Sequence, residues 1–501
     1  MPNPFAPVLS VLPPLGREGA DDALRAAATA VLGNAFGWRR TSGRALVREV
    51  SSALGAPDPT VSYVFLACLQ QRIPRSSEIV EFTRSWRLDG VEEPLLAAWG
   101  SSRPKPGVRV VVASGVVVDV TETGRSAFTT GIQRVTRESV TRWVRDHDDV
   151  DLVSWDHAGA RLAGLTELEA SRVVLDADTR RRVRRLPSTV VVPYRATFVL
   201  PEITTQGRRS ENIRTIARYS RSRAVAIGHD CIPVTTSETA GPGMAGAFSK
   251  YLAALAGFDV VASVSNASAT EFRGWAQMLG GAGLSGPRVV PVPLPRQSAA
   301  IDDATVARVT SELGLDDGVP TVLAVGSHEP RKNHLTLLAA AELRWRAGDE
   351  FHLVLVGGNA WGDADFTRMV EALLAAGRPI SLLSAVGDDT VWSLYRIARL
   401  SVFCSLNEGF GLPVVESLAS GTPVLTSDFG SMRELGEGHG AVLVDPYDVH
   451  AIARELGSLL EDDARIETLR RETGRLERST WDDYAKRVWE LVEAPSRVSE
   501  G

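Results

Sequence analysis

Three observations in the 501-residue chain predict an α/β protein with an all-helical module at its N-terminus. Before Gly100 the apolar residues recur at helical spacing, and no strand pattern interrupts them. From Val108 onward, β-branched runs alternate with helical stretches. After a proline-containing, acidic break, the same alternation starts again at Thr321. Strands alternating with helices indicate parallel sheets, since a parallel connection needs a crossover long enough to hold a helix.

Composition narrows the class. A chain of this length holds two or three domains and can bury large cores. The net charge of -6 argues against a general nucleic-acid binder. Cys68, Cys231 and Cys404 are odd in number, scattered and without metal-site spacing, which suits a reducing compartment. The N-terminus lacks a basic region followed by an apolar one. No apolar run reaches the roughly 18 residues of a spanning helix, and Val108–Val120 is the nearest candidate. The expected location is cytoplasmic, with peripheral contact at the inner membrane face compatible with it.

Residues 1–20 are rich in proline and glycine and are expected to be loosely structured at the start. Asp21–Leu32 is a first helix, stopping at Gly33-Asn34, and Leu46, Val50, Ala53 and Leu54 mark a second. Asp58-Pro59 opens a third through Leu69, and Ile79, Phe82 and Trp86 mark a fourth. A linker, Ser101–Gly107, follows. The first α/β unit has strands at Val108–Val112, Val116–Val120, Val150–Ser154, Thr189–Val192, Ala224–Ile227 and Val260–Val264. Thr121–Thr130 is a polar loop leading into a helix over Gly131–Arg145. His229-Asp230-Cys231-Ile232-Pro233 follows a strand end, where ligands collect in open α/β sheets, although such a pair often only satisfies local hydrogen bonds. Val264–Ser268 ends a strand and opens a helix, with Ser265 or Asn266 as cap. Thr179–Arg185 and Arg208–Arg223 are arginine-rich, either a solvated face or a surface for anionic lipid or a phosphorylated acceptor.

Pro291–Pro295 and Ser298–Ala304 form the break between the units. The strand Thr321–Val325 then ends in Gly326-Ser327-His328-Glu329-Pro330-Arg331-Lys332-Asn333. Adjacent cations at a strand's C-terminal end suit a diphosphate, because arginine grips it bidentately and lysine adds a point charge. Phe351–Val356 and Ser381–Ala385 are the next strands, and Thr390–Ala398 is a helix. Cys404–Asp428 reads as strand end, glycine loop, helix and strand. Gly409 and Gly411 lie in its loop, Pro413 stands at the first helical position and Gly421 at the stop. Leu412 is a poor N-cap, which leaves backbone N–H groups for a phosphate. Glu408 on the loop and Glu416, placed in the helix's first turn, can accept hydrogen bonds from hydroxyls. Glu416 as an ordinary acid at a helix's positive end is the plainer reading. Ala441–Val444, the helix Val449–Leu460 and a last helix from Thr480-Trp481-Asp482 complete the chain.

The Glu-x7-Glu stretch from Glu408 to Glu416, with Glu-Pro-Arg-Lys-Asn at 329–333, resembles retaining GT-B glycosyltransferases of the large bacterial family 4 (glycosyl transferases group 1). His229-Asp230-x-x-Pro233 is similar to a pattern in one bacterial subset of that family. The resemblance covers roughly residues 108–490. It implies the GT-B fold, with two Rossmann-like domains facing a cleft: residues 106–297 as acceptor domain and 298–478 as donor domain. Residues 1–105 are the added helical module and linker, and the helix 479–495 packs back on the acceptor domain. The segment Val61–Trp99 is weakly similar to a helical module sometimes fused to bacterial sugar transferases.

For the site, the resemblance implies that Arg331 and Lys332 stabilise a departing diphosphate. Glu408 would hold donor-sugar hydroxyls, Glu416 the ribose, and Gly409, Phe410, Gly411 and Leu412 would offer backbone N–H groups. His229 would lie near the transferred sugar and Asp230 near the acceptor hydroxyl. Val386 would contact the nucleobase, and Gly131 and Gly326 belong to the glycine loops that face the cleft. The expected reaction moves a sugar from a nucleotide-diphosphate sugar to an acceptor hydroxyl with retention. The partners are that donor and a glycan, lipid-linked or protein acceptor. No cofactor and no metal is expected: Asp176-Ala177-Asp178 and Asp363-Ala364-Asp365 lie outside the strand context that a metal-dependent transferase would need. A nucleotide-sugar epimerase and a non-catalytic nucleotide-sugar-binding scaffold are the alternatives. GDP-mannose, UDP-sugars and dTDP-rhamnose all fit as donors.

Overall fold

The computed structural model describes residues 18–33, 41–127, 130–186, 188–315, 318–358, 362 and 364–494. Most of the expected loose start, the stop at Asn34, two residues of the 121–130 loop, Asn359–Trp361 and Asp363 lie outside the described residues.

Five helices open the chain: α1 (Glu18–Leu32), α2 (Gly43–Ala53), α3 (Pro59–Gln70), α4 (Ser76–Asp89) and α5 (Glu92–Ser101). Asp58 caps α3 through Thr60 N, with Pro59 at the first position. The fifth helix is an addition to the four expected. It is tied to α1 by Trp99 Nε1 donating to Asp21 Oδ1 at 2.9 Å. The module has no core of its own. Leu24, Val47, Phe65 and Phe82 pack in one continuous cluster with Val191, Tyr194 and Phe198 of the first sheet.

That sheet has nine strands: β1 (Arg109–Ala113), β2 (Val116–Asp119), β3 (Val150–Trp155), β4 (Leu162–Gly164), β5 (Thr189–Pro193), β6 (Thr197–Leu200), β7 (Arg223–Gly228), β8 (Val260–Ser263) and β9 (Arg288–Pro291). Their order is β1-β5-β4-β3-β2-β6-β7-β8-β9, all parallel except the short β4. The expected strands omitted β4, β6 and β9. Pro291 closes β9, an edge strand that tolerates it. Val292 and Leu294 still donate to Ser263 O and Val264 O, so the proline-containing stretch continues the sheet before the chain leaves it.

The second sheet has β10 (Thr321–Val325), β11 (His352–Val356), β12 (Ile380–Leu383), β13 (Leu400–Phe403), β14 (Val424–Ser427) and β15 (Ala441–Val444), ordered β12-β11-β10-β13-β14-β15 and wholly parallel. This is a doubly wound Rossmann-like sheet whose order reverses between β10 and β13. Ligands of such sheets bind outside the strand C-termini at that reversal. The last helix, Trp481–Glu493, crosses back to the first unit, where Trp143 Nε1 donates to Ala485 O at 3.0 Å. All three cysteines are free and buried. Among the described residues, no helix is long and apolar enough to cross a membrane.

Candidate active site

The C-terminal ends of β10 and β13 open into a cleft of about 1230 Å³, walled on its other side by loops of the first sheet. All thirteen residues singled out in the sequence line it: Gly131, His229, Asp230, Gly326, Arg331, Lys332, Val386, Glu408, Gly409, Phe410, Gly411, Leu412 and Glu416.

Arg331 and Lys332 sit on a single 3₁₀ turn, Pro330–Lys332, which Asn333 ends in the left-handed conformation. The Asn333 amide donates to Cys404 O at 3.1 Å and to Pro446 O at 2.7 Å, so the turn is pinned to the ends of β13 and β15. Arg331 O in turn accepts from Leu406 N at 2.8 Å and Ser405 Oγ at 3.0 Å. The two cations converge on one carboxylate. Arg331 reaches Glu408 Oε2 at 2.6 Å, Lys332 reaches Oε1 at 2.6 Å, and Ser405 Oγ donates to Oε1 at 2.7 Å. Burial alone would raise the Glu408 carboxyl, but Arg331 and Lys332 outweigh it and hold it at about 2. Burial lowers the Lys332 ammonium despite Glu408, with Arg331 adding to the effect. For Arg331 the order is reversed: burial opposes its charge, yet Glu408 and Glu329 raise it.

His229 and Asp230 follow β7. His229 Nε2 donates to Pro201 O at 2.9 Å, and burial pushes the ring down to about 4, so it is neutral near pH 7. Burial raises the Asp230 carboxyl to about 6, against the pull of Arg331. A Cβ on Gly409 would lie 2.3 Å from His229 O, so only glycine permits this approach of the two units. Ser268 Oγ donates to both His229 O (2.7 Å) and Gly409 O (2.8 Å), and Ser265 Oγ donates to Gly409 O at 2.6 Å. Ser265, expected only as a helix cap, does cap through Ser268 N and also ties the units together. Beside it, the Glu434 carboxylate accepts from Asn266 N and Ala267 N at the start of the 266–281 helix.

Glu416 corrects one expectation. The helix runs Leu412–Ala419 with Gly411 in the left-handed conformation as its N-cap, so Glu416 is its fifth residue, beyond the first turn. Its carboxylate is engaged by side chains. Arg134 Nη1 donates to Oε1 at 2.6 Å from across the cleft, and Tyr395 OH donates to Oε2 at 3.3 Å. Phe410 borders the cleft but is buried in apolar surroundings. Arg134 and Tyr395 were missed in the sequence. The arginine's one signal was its position a helical turn after Gly131.

Other motifs resolve locally. Asp176 caps the 177–182 helix through Thr179 N, and Asp178 pairs with Arg181. Arg182, Arg184 and Arg185 pair with Asp148, Asp151 and Glu167, and Arg221 pairs with Asp58. The buried Arg209 bridges Asp119 and Glu202.

Residues 308–478 match the family model described as Glycosyl transferases group 1. Among curated proteins, the chain is 26% identical over 281 residues to the serotype-specific mannosyltransferase WbdA of Escherichia coli, covering 53% of this chain and 33% of that protein. It is 35% identical over 207 residues to the D-inositol 3-phosphate glycosyltransferase of Salinispora tropica, covering 39% of this chain and 43% of that one. The chain thus spans about a third of the length of the mannosyltransferase. Among solved structures, Anabaena HepE in complex with UDP and glucose aligns with TM-score 0.57 at 14% identity, over 76% of this chain and 100% of that one. Sucrose-phosphate synthase from Thermosynechococcus elongatus aligns with TM-score 0.53 at 17% identity, over 75% of this chain and 98% of its own. The fold is GT-B, as the sequence implied.

Proposed function

We propose that the chain is a retaining glycosyltransferase that takes a sugar from a nucleotide-diphosphate sugar and joins it to an acceptor hydroxyl. One observation carries this reading: Arg331 and Lys332 meet Glu408 at the strand reversal of the second sheet, inside a cleft shared with His229 and Asp230 of the first. The match to Glycosyl transferases group 1 over 308–478 supports it.

The donor diphosphate takes Arg331 and Lys332 in place of Glu408. The carboxylate is then released to accept hydrogen bonds from the donor sugar's hydroxyls, so phosphate recognition switches on sugar recognition. The acceptor oxygen attacks the anomeric carbon from the face of the leaving group. The bond from that carbon to the phosphate oxygen breaks, and the acceptor's proton passes to the departing phosphate. The nucleoside diphosphate leaves with its charge met by Arg331 and Lys332, a role that such preorganised donors fill without a metal. Neutral His229 lies near the transferred sugar and Asp230 near the acceptor hydroxyl. Glu416 receives the ribose and Val386 the base.

The test is a thermal-shift screen of nucleoside diphosphates and their sugars, since a ligand that binds only the native state raises the melting temperature. GDP-mannose comes first because of the mannosyltransferase relatives, followed by UDP-glucose and dTDP-rhamnose. A stabilising donor is then incubated with and without acceptor. Transfer products whose anomeric configuration by NMR matches the donor's support the reading. Inversion, donor epimerisation or the absence of any nucleotide binding would overturn it.

A further inference from the structure

Glu416 and Arg134 belong to different units, 282 positions apart, yet they form one ion pair in the cleft wall. The Arg134 side chain is 33% exposed and that of Glu416 only 11%. Three elements converge on the arginine. Its own helix, Gly131–Asp146, starts against the donor-unit helix, where a Cβ on Gly131 would sit 3.8 Å from Leu412 Cδ1. Its guanidinium lies 5.9 Å from the ring centroid of Trp481, the first residue of the helix that crosses back. Its Nη1 holds Glu416 Oε1, while Tyr395 takes the other oxygen.

A carboxylate on a helix has several rotamers, and only a fixed one can present both oxygens to a pair of neighbouring hydroxyls. Tyr395 alone, at 3.3 Å, is a weak restraint. The charge-assisted bond from Arg134 is the stronger one. We infer that Arg134 is a positioning residue for the nucleoside: it fixes the carboxylate of Glu416 from the opposite unit, so the ribose subsite is complete only when the two units are apposed. This rests on the reading that Glu416 receives the ribose hydroxyls.

The experiment uses the full chain. Dissociation constants are measured by calorimetry for the preferred nucleoside diphosphate, its 2′-deoxy analogue and inorganic pyrophosphate, with the parent, Arg134→Met, Glu416→Gln and the double variant. Arg134→Met is expected to weaken the nucleoside diphosphate about tenfold, the scale of one charge-assisted hydrogen bond. It should also shrink the preference for ribose over deoxyribose. Pyrophosphate, which takes Arg331, Lys332 and the backbone N–H groups of the 409–412 loop but not the ribose subsite, should bind as in the parent and so reports that the variant is folded. In the Glu416→Gln background the second substitution should add less than twofold. Retained ribose preference in Arg134→Met, or full additivity in the double variant, overturns the positioning role while leaving Glu416 at the ribose. Retained ribose preference in Glu416→Gln overturns the ribose reading and this inference with it. Pyrophosphate weakened in parallel with the nucleotide would assign Arg134 to general folding and overturn it as well.

Discussion

Replacing Glu408 by glutamine should tighten nucleoside diphosphate binding while destroying transfer. The carboxylate occupies both cations that the diphosphate needs, at 2.6 Å from each. Its fall from an ordinary 4.5 to about 2 measures how strongly its surroundings favour the ionised form, net of burial. At 1.36 kcal/mol per pKa unit, that preference is about 3 kcal/mol. A diphosphate arriving in the parent must break this pairing; in Glu408→Gln it meets cations held by a neutral amide and the Asn407 carbonyl, with Glu329 the anion still paired with Arg331. If about half of the preference is recovered, binding tightens roughly tenfold. Transfer should fall roughly 100-fold, because the neutral amide accepts hydrogen bonds from the sugar hydroxyls more weakly than a carboxylate does. Calorimetry with the full chain gives the first quantity, and product formation under saturating donor gives the second. Unchanged or weakened nucleotide binding in the variant would refute the exchange of carboxylate for phosphate. The pairing itself should persist over the working range of pH. The folded value lies below the unfolded one, so its contribution is complete above about 4.5 and is lost as pH falls toward 2.

Lys332→Ala should lower turnover roughly 100-fold, the scale of losing one preorganised electrostatic contact, and near-normal turnover there would remove the lysine from the site. Gly409→Ala forces a methyl to within 2.3 Å of His229 O, against backbone on both sides; turnover should drop at least about tenfold, and an unaffected enzyme would show that the units can separate freely. Asp230 has a folded value of about 6 against an ordinary 3.8, so its cost to stability is absent below 3.8, grows as pH rises to 6 and then stays constant. Asp230→Asn removes that cost, at most about 3 kcal/mol. The variant's lead in melting temperature over the parent should therefore widen between pH 4 and 7, and a constant gap would contradict the burial argument.

The second unit was legible because its central strands β10, β11, β13 and β14 are largely buried on both faces and read as apolar runs, each followed by glycine at or before the start of the next helix. Arg331, Lys332, Glu408 and Gly411 all sit at such ends, so the order of residues along the chain placed them at one edge of one sheet. The first unit was harder. β5 and β6 run parallel and are separated only by Tyr194-Arg195-Ala196, where the chain bends with Arg195 at φ 52°, a conformation that here carries no glycine signal. Only the first was therefore read, as Thr189–Val192, and β6 was omitted. The pairing of Arg134 with Glu416 was invisible for another reason: periodicity describes one element at a time, and this contact joins elements from different sheets. Glu416 was misplaced by one position, from fourth to fifth in the helix, because the helix begins at Leu412 with Gly411 rather than Leu412 as its cap. Nothing in the pattern of the helical module records that Phe65 and Phe82 share their packing with Phe198.

The helix Trp481–Glu493 has a consequence for how the protein is made. Trp481, Tyr484, Val488 and Trp489 fill an apolar cluster with Trp143 and Val144 of the first unit and with Val414, Leu418 and Met432 of the second. The first sheet is complete at Pro291, well before a ribosome delivers that helix. During synthesis, the face around Trp143 therefore waits uncovered while the second sheet is still being assembled, and the last helix closes both at once. Chains released before residue 481 would carry that exposed surface permanently, which makes them natural targets for chaperones and proteases and leaves little room for a half-made but functional protein.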